Sequence, residues 1–161
     1  MAIPEILLIE DRQDDRELFA AALLVSGVRA RLTCAADAIE AVVRLNRLGA
    51  VNGSTLPALI VLDLGLPGLK GQTLLQVIRT AYGPREVAII VLTGSQRPAD
   101  KDICSTWAIS DYMVKPQNYA DLVGWVRTLG RFLPSEDESH DARRRTATSL
   151  GEPSPQGDRK P

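Results

Sequence analysis

The sequence predicts an α/β protein built on a parallel sheet, and three observations carry that expectation. Short, non-alternating apolar runs recur along the chain: Ile6-Leu7-Leu8-Ile9, Leu59-Ile60-Val61-Leu62, Val87-Ala88-Ile89-Ile90-Val91-Leu92 and Tyr112-Met113-Val114. Such runs read as strands buried on both faces. Helical stretches alternate with strands to make five strand–helix pairs, which argues for right-handed crossovers between parallel neighbours. Each of the four runs is followed directly by polar groups: Glu10-Asp11, Asp63, Thr93 and Lys115. In open α/β sheets, ligands and chemistry gather beyond the carboxyl ends of the strands.

The strands are expected near 5–10, 29–34, 58–63, 87–92 and 111–114. The helices are expected near 13–26, 36–48, 71–81, 98–106 and 118–132. In the first helix Leu18, Ala22 and Val25 share a face, and Gly27 suits the left-handed residue that ends a helix. In the second, Ile39, Val42, Val43 and Leu45 to Leu48 do the same, ending near Gly49. The turn-rich segment 50–57 reads as an insertion remote from the site. In the fifth, Tyr119, Leu122, Val126, Leu129 and Leu133 form a core-facing stripe. Trp125 and Phe132 flank that stripe. They either cover the edge of the core or present a surface to a target or a second copy of the chain.

A length of 161 residues suits one domain, and 45% hydrophobic content suits a soluble globular one. The folded part is expected over 1–133. Beyond it, residues 134–161 carry an acidic run (Glu136-Asp137-Glu138), a basic run (Arg143-Arg144-Arg145) and little apolar surface, so this tail is expected to be disordered. A net charge of −1 supplies no general attraction to nucleic acid or anionic membrane. No apolar stretch approaches the roughly 20 residues of a membrane span, and no secretory leader is visible. Cys34 and Cys104 lack metal-ligand or CxxC spacing and read as buried reduced thiols of a cytoplasmic protein.

Glu10, Asp11 and Asp63, brought to one sheet edge, repel one another unless a cation neutralises them. Mg²⁺ is the hard divalent ion that accepts one or two carboxylates and keeps several waters. Asp11 and Asp63 are the expected direct ligands, with the Gly65 carbonyl as a third and Glu10 acting through water. A metal there offsets charge on an incoming phosphoryl group, and the Asp63 carboxylate is placed to attack phosphorus in line. Lys115 would supply a point charge to the phosphoryl oxygens and Thr93 a hydrogen bond. Each residue also has a plain reading: Glu10-Asp11 as an N-terminal helix cluster, Asp63 and Thr93-Gly94 as turns, Lys115-Pro116 as a loop. The joint arrangement at successive strand ends favours the chemical one.

From about residue 4 to residue 132 the chain resembles the CheY-type receiver domain of two-component response regulators. The matching pieces are Ile6 to Asp11, Leu62-Asp63-Leu64-Gly65-Leu66-Pro67 with Gly71, Val91-Leu92-Thr93-Gly94, and Asp111 to Pro116. The resemblance implies a flavodoxin-like (βα)5 doubly wound sheet with strand order 2-1-3-4-5. It implies Asp63 as phosphoacceptor, Glu10 and Asp11 as the acidic pair, Thr93 and Lys115 as sensors of the phosphoryl group, and Tyr112 as an aromatic switch. It also implies a cis bond before Pro116. Signalling would run through the face of the fourth helix, fifth strand and fifth helix as a population shift. Two positions depart from family habit. Trp107-Ala108 stands where Gly-Ala is frequent. Gly65 and Ser95 are poor orienters of hydrolytic water, so loss of phosphate from Asp63 is expected to be slow.

The expected function is that of a single-domain response regulator, not a turnover enzyme. It takes phosphate from a sensor histidine kinase or a histidine phosphotransfer protein, and signals by binding or relays the phosphate. Its texture is similar to the stand-alone receivers that partner phytochrome-type kinases. A phosphohydrolase of the haloacid-dehalogenase type needs a second aspartate at the place Gly65 occupies. A receiver-fold module that binds partners without phosphorylation is the alternative, and the complete acidic, hydroxyl and lysine set argues against it. The single histidine, His140, lies in the tail with no bundle to present it as a phosphodonor.

Overall fold

The structure, a computed structural model, describes residues 3–50 and 56–134. The tail from Ser135 onward, with its expected disorder, and most of the turn-rich loop lie outside the described residues. The elements follow in strict alternation: β1 (Glu5–Ile9), α1 (Gln13–Ser26), β2 (Arg31–Ala35), α2 (Ala38–Ala50), β3 (Leu59–Leu62), α3 (Gly71–Ala81), β4 (Ala88–Thr93), α4 (Pro98–Ser105), β5 (Asp111–Val114) and α5 (Tyr119–Thr128). A 3₁₀ turn, Leu129–Phe132, continues the last helix.

All five strands are parallel in the order β2-β1-β3-β4-β5. This is the flavodoxin-like, CheY-type arrangement that the sequence implies. The three central strands are buried on both faces, as continuous apolar runs require. β5 is only half-buried along its length because it is an edge strand.

Two cores flank the sheet. One packs Leu7, Ile9, Ile60, Leu62, Ile89 and Val91 beneath α2, α3 and α4. The other packs Ile6, Leu8, Val61 and Ile90 beneath α1 and α5. Successive strand residues feed opposite layers, which is the pleat of a strand.

The helix faces differ from expectation. In α1 the buried residues are Phe19, Ala22, Leu23 and Ser26, while Leu18 is 47% exposed and Val25 also faces solvent. In α2 the buried positions are Ala38, Ala41 and Leu45, and Ile39 is 74% exposed. Both helices carry two adjacent apolar stripes; in α1 the one with Phe19 faces the sheet, and in α2 the small Ala38 and Ala41 do. Gly27 ends α1 in the left-handed region (φ 81), as its position suggested, but α2 runs to Ala50, past Gly49.

α5 and the 3₁₀ turn that continues it bury Val126 and Leu129 as expected, but Tyr119 is exposed. Trp125 is only 6% exposed, and its ring meets Phe19 of α1 edge-on, with centroids 6.3 Å apart. Of the two readings open for Trp125, this burial supports the first: it covers the core between α1 and α5. Phe132 is half-buried against the same layer, with the Arg131 guanidinium 4.6 Å above its ring. Cys104 is buried and free, whereas Cys34 on the edge strand β2 is only half-buried.

Candidate functional site

Register places the polar groups at one edge. Ile9 pairs with Leu62, Leu62 with Val91, and Thr93 with Val114, so Glu10, Asp63, Thr93 and Lys115 emerge side by side. Backbone bonds continue the ladder through them: Asp63 N–H donates to Ile9 O at 3.0 Å, and Lys115 N–H to Thr93 O at 2.7 Å.

Local structure then aims each side chain. The Arg12 N–H donates to Glu10 Oε1 at 3.0 Å. The Arg16 guanidinium donates to the carbonyls of Glu10 and Asp11, both at 2.8 Å, pinning the β1–α1 loop. The Gly65 N–H donates to Asp63 Oδ1 at 2.9 Å. α3 begins close against this turn: a Cβ on Gly71 would sit 2.5 Å from Leu64 Cα and 2.6 Å from Asp63 O. Only glycine fits there, and its presence sets the height of Asp63.

Lys115 binds the site together. Its ammonium donates to Glu10 Oε2 at 2.6 Å, to Asp63 Oδ2 at 2.8 Å and to Asp15 Oδ2 at 2.8 Å. Asp15, in the first turn of α1, was not singled out from the sequence, where acids in a first helical turn read simply as favourable to the helix dipole. Those contacts hold the lysine's affinity for its proton above its ordinary range, outweighing the burial that opposes it.

Glu10, Asp11 and Asp63 each offer an oxygen within 4.8 Å of the others. Asp11 is exposed, whereas Glu10 is 2% and Asp63 6% exposed. Burial, above all, pushes the Glu10 carboxyl up to about 7, although Lys115 pulls it the other way. An all-oxygen donor set around a carboxylate that is costly to charge fits a hard divalent cation.

A pH dependence follows. A carboxylate whose value is raised in the folded state binds protons more tightly when folded, so stability falls as pH climbs from 4.5 to about 7. In the metal-free protein that loss is expected to be about 3 kcal/mol. A divalent cation displaces the same proton, so its affinity should rise about tenfold per pH unit below 7 and level off above it. Titrating Mg²⁺ from pH 5.5 to 8 checks this; an affinity that ignores pH would show that Glu10 is already ionised.

Beyond the pocket, the Thr93 hydroxyl accepts the Ser95 N–H at 3.2 Å and is buried. The Ser95 hydroxyl donates to Asp100, which also accepts from Gln72 Nε2 at 2.9 Å and Arg97 Nε at 3.2 Å. The Ser95 hydroxyl, first among these neighbours, holds the Asp100 carboxyl below the usual carboxylate range. The half-buried Tyr112 directs its hydroxyl to the Ser95 carbonyl at 3.4 Å. The β4–α4 loop thus touches Thr93 and Tyr112 directly, and Asp100 in the first turn of α4 links it to α3. Asp100 and Gln72 carried no sequence signal, because their 28-residue separation is bridged only by folding. The bond before Pro116 is trans, unlike what the resemblance implies.

An α/β sheet of order 2-1-3-4-5 with an acidic pocket and a lysine at its carboxyl edge defines the CheY-like class of receiver proteins. Residues 6–127 match the response regulator receiver domain, and the chain belongs to that family. It is 30% identical over 127 residues to the response regulator Rcp1 of Synechocystis sp., an alignment covering 79% of this chain and 86% of Rcp1. Among solved structures it is similar to the phosphorylated cyanobacterial phytochrome response regulator RcpA. That match has a TM-score of 0.72 and 28% identity, covering 83% of this chain and all of that one. The Mn²⁺-bound form of Rcp1 aligns at a TM-score of 0.70 and 29% identity, covering 82% of this chain and 99% of that one. The bacteriophytochrome response regulator RtBRR aligns at 0.66 and 32%, covering 92% and 93%.

Proposed function

We propose that the protein accepts a phosphoryl group on Asp63 from a histidine kinase, or from a histidine phosphotransfer protein, and signals through the state this creates. The observation that carries the reading is the Asp63 carboxylate itself. It is set at the β3 tip between an N–H donor from Gly65 and the Lys115 ammonium, beside two further acids that complete a cation site.

In the transfer, the P–N bond of the donor imidazole breaks and a P–O bond to Asp63 forms. Lys115 turns from Glu10 and Asp63 to the phosphoryl oxygens, and the Thr93 hydroxyl donates to them. Asp11, Asp63 and the Gly65 carbonyl, with Glu10 acting through water, would hold Mg²⁺, which would offset charge on the incoming group. Thr93 moving inward releases the β4–α4 loop, and Tyr112 follows, altering the α4-β5-α5 face. Because the Ser95 hydroxyl is engaged by Asp100 and Gly65 has no side chain, the acyl phosphate hydrolyses slowly.

The partner we favour is a phytochrome-type kinase, supported by the similarity to RcpA and RtBRR, which are described as phytochrome and bacteriophytochrome response regulators. No helix among the described residues is long and apolar enough to cross a membrane, and we place the protein in the cytoplasm. It takes part in its own phosphorylation and is not a turnover enzyme.

Incubation with Mg²⁺ and acetyl phosphate should add one phosphoryl group, detected by intact mass, and Asp63→Asn should abolish the gain. Beryllofluoride with Mg²⁺ should perturb the spectra of the wild type alone. No mass gain in a folded wild type, or an undiminished gain in Asp63→Asn, refutes the reading.

A further inference from the structure

We propose that Asp15 is a positioning residue for phosphoryl transfer: it keeps the Lys115 ammonium beside Asp63 while the lysine's other two partners are engaged elsewhere. The inference rests on Asp63 being the phosphoacceptor.

An ammonium has three protons, and three carboxylate oxygens stand around this one, from Glu10, Asp15 and Asp63. They are not equivalent. Glu10 and Asp63, with Asp11, make up the triad suited to a divalent cation, and Asp15 is outside it. When that triad is filled, Glu10 and Asp63 are shared between metal and lysine. When Asp63 becomes an acyl phosphate, its carboxyl oxygens lose most of their charge. Asp15 alone, outside the triad and shared only with the Arg12 guanidinium at 3.7 Å, keeps a full carboxylate beside Lys115 through both changes.

A tether matters because lysine is a strongly hydrated charge on a flexible four-carbon stem, and ordering it costs rotamer entropy. Asp15 is well placed to absorb that cost. It stands on the first turn of α1, a rigid element whose preceding loop Arg16 pins to the end of β1. A cavity of about 80 Å³ lined in part by Leu18, Leu122, Asp15 and Lys115 lies beside the lysine, so its stem is not packed rigidly on every side. The lysine therefore pivots on one fixed contact.

Two measurements on the full chain test this, using Asp15→Ala and Asp15→Asn. The first is the rate of Asp63 phosphorylation by acetyl phosphate at saturating Mg²⁺. It should fall about tenfold in Asp15→Ala and less in Asp15→Asn, which keeps an acceptor oxygen of the same reach. The Mg²⁺ dissociation constant should stay within about twofold, since Asp15 is not in the triad. The second is nitrogen-15 NMR of the Lys115 ammonium, which needs no turnover. Its slowly exchanging signal should survive Mg²⁺ addition in the wild type. In Asp15→Ala it should be present without metal, held by Glu10 and Asp63, and vanish when Mg²⁺ is added. Should Asp15→Ala fail to fold, Asp15→Asn carries both comparisons. Unchanged rates together with a signal that persists under Mg²⁺ overturn the proposal. A wild type that takes no phosphate refutes the phosphoacceptor reading as well, so the two failures are distinguishable.

Discussion

Lys115→Met destabilises the metal-free protein near pH 8 by up to about 3 kcal/mol, the lower end of what breaking a buried ion pair costs, because the ammonium is partly solvated. The loss comes from what remains. Glu10, Asp15 and Asp63 lose their shared cation, and two of the three are buried. Near pH 5.5 the damage shrinks, because Glu10 keeps its proton there and one of the repelling charges is absent. Mg²⁺ restores much of the stability at pH 8 by replacing the missing positive charge, yet phosphorylation stays impaired. Urea denaturation at both pH values, with and without Mg²⁺, checks the pattern. An equal loss at both pH values, untouched by Mg²⁺, would mean that Lys115 contributes packing and not charge.

Trp125→Ala is expected to cost about 3–5 kcal/mol, the range for removing a large aromatic side chain from a core. The indole fills the gap between α1 and α5, edge-on to Phe19. Trp125→Phe should cost far less than Trp125→Ala, and the reason is specific. The indole Nε1 is buried with no hydrogen-bond partner among the described residues, so phenylalanine gives up volume but also removes an unsatisfied donor. Chemical denaturation of the two variants separates these terms. If the alanine variant were as stable as the wild type and changed only association with another protein, the surface reading of Trp125 would stand after all.

The site-bearing strands and their polar termini were legible because each is a contiguous signal: an apolar run, then a charged or hydroxyl group. Helix faces were harder. In α1, Leu18 and Val25 make as good a stripe as Phe19, Ala22 and Leu23. What decides between them is which set the sheet accepts, and that depends on strands far away in the chain. In α2 the same ambiguity hid the fact that small residues, Ala38 and Ala41, face inward. At the site, the residues with strand-end positions were visible and those acting across distance were not. Asp15 lies 100 residues from Lys115 and Gln72 lies 28 from Asp100, so neither pairing leaves a local trace.

Far from the pocket, at the amino-terminal ends of β4 and β5, Arg79 closes the opposite side of the sheet. Its guanidinium donates to the carbonyls of Val87 at 2.8 Å and of Trp107 and Ala108, each at 3.1 Å. Ala108 is held there at φ 51, a conformation that alanine adopts only under constraint. One cation thus rivets the last turn of α3 to the starts of two neighbouring strands. A rearrangement near Thr93 is therefore expected to be smallest at this riveted rim and to grow toward the β4–α4 loop.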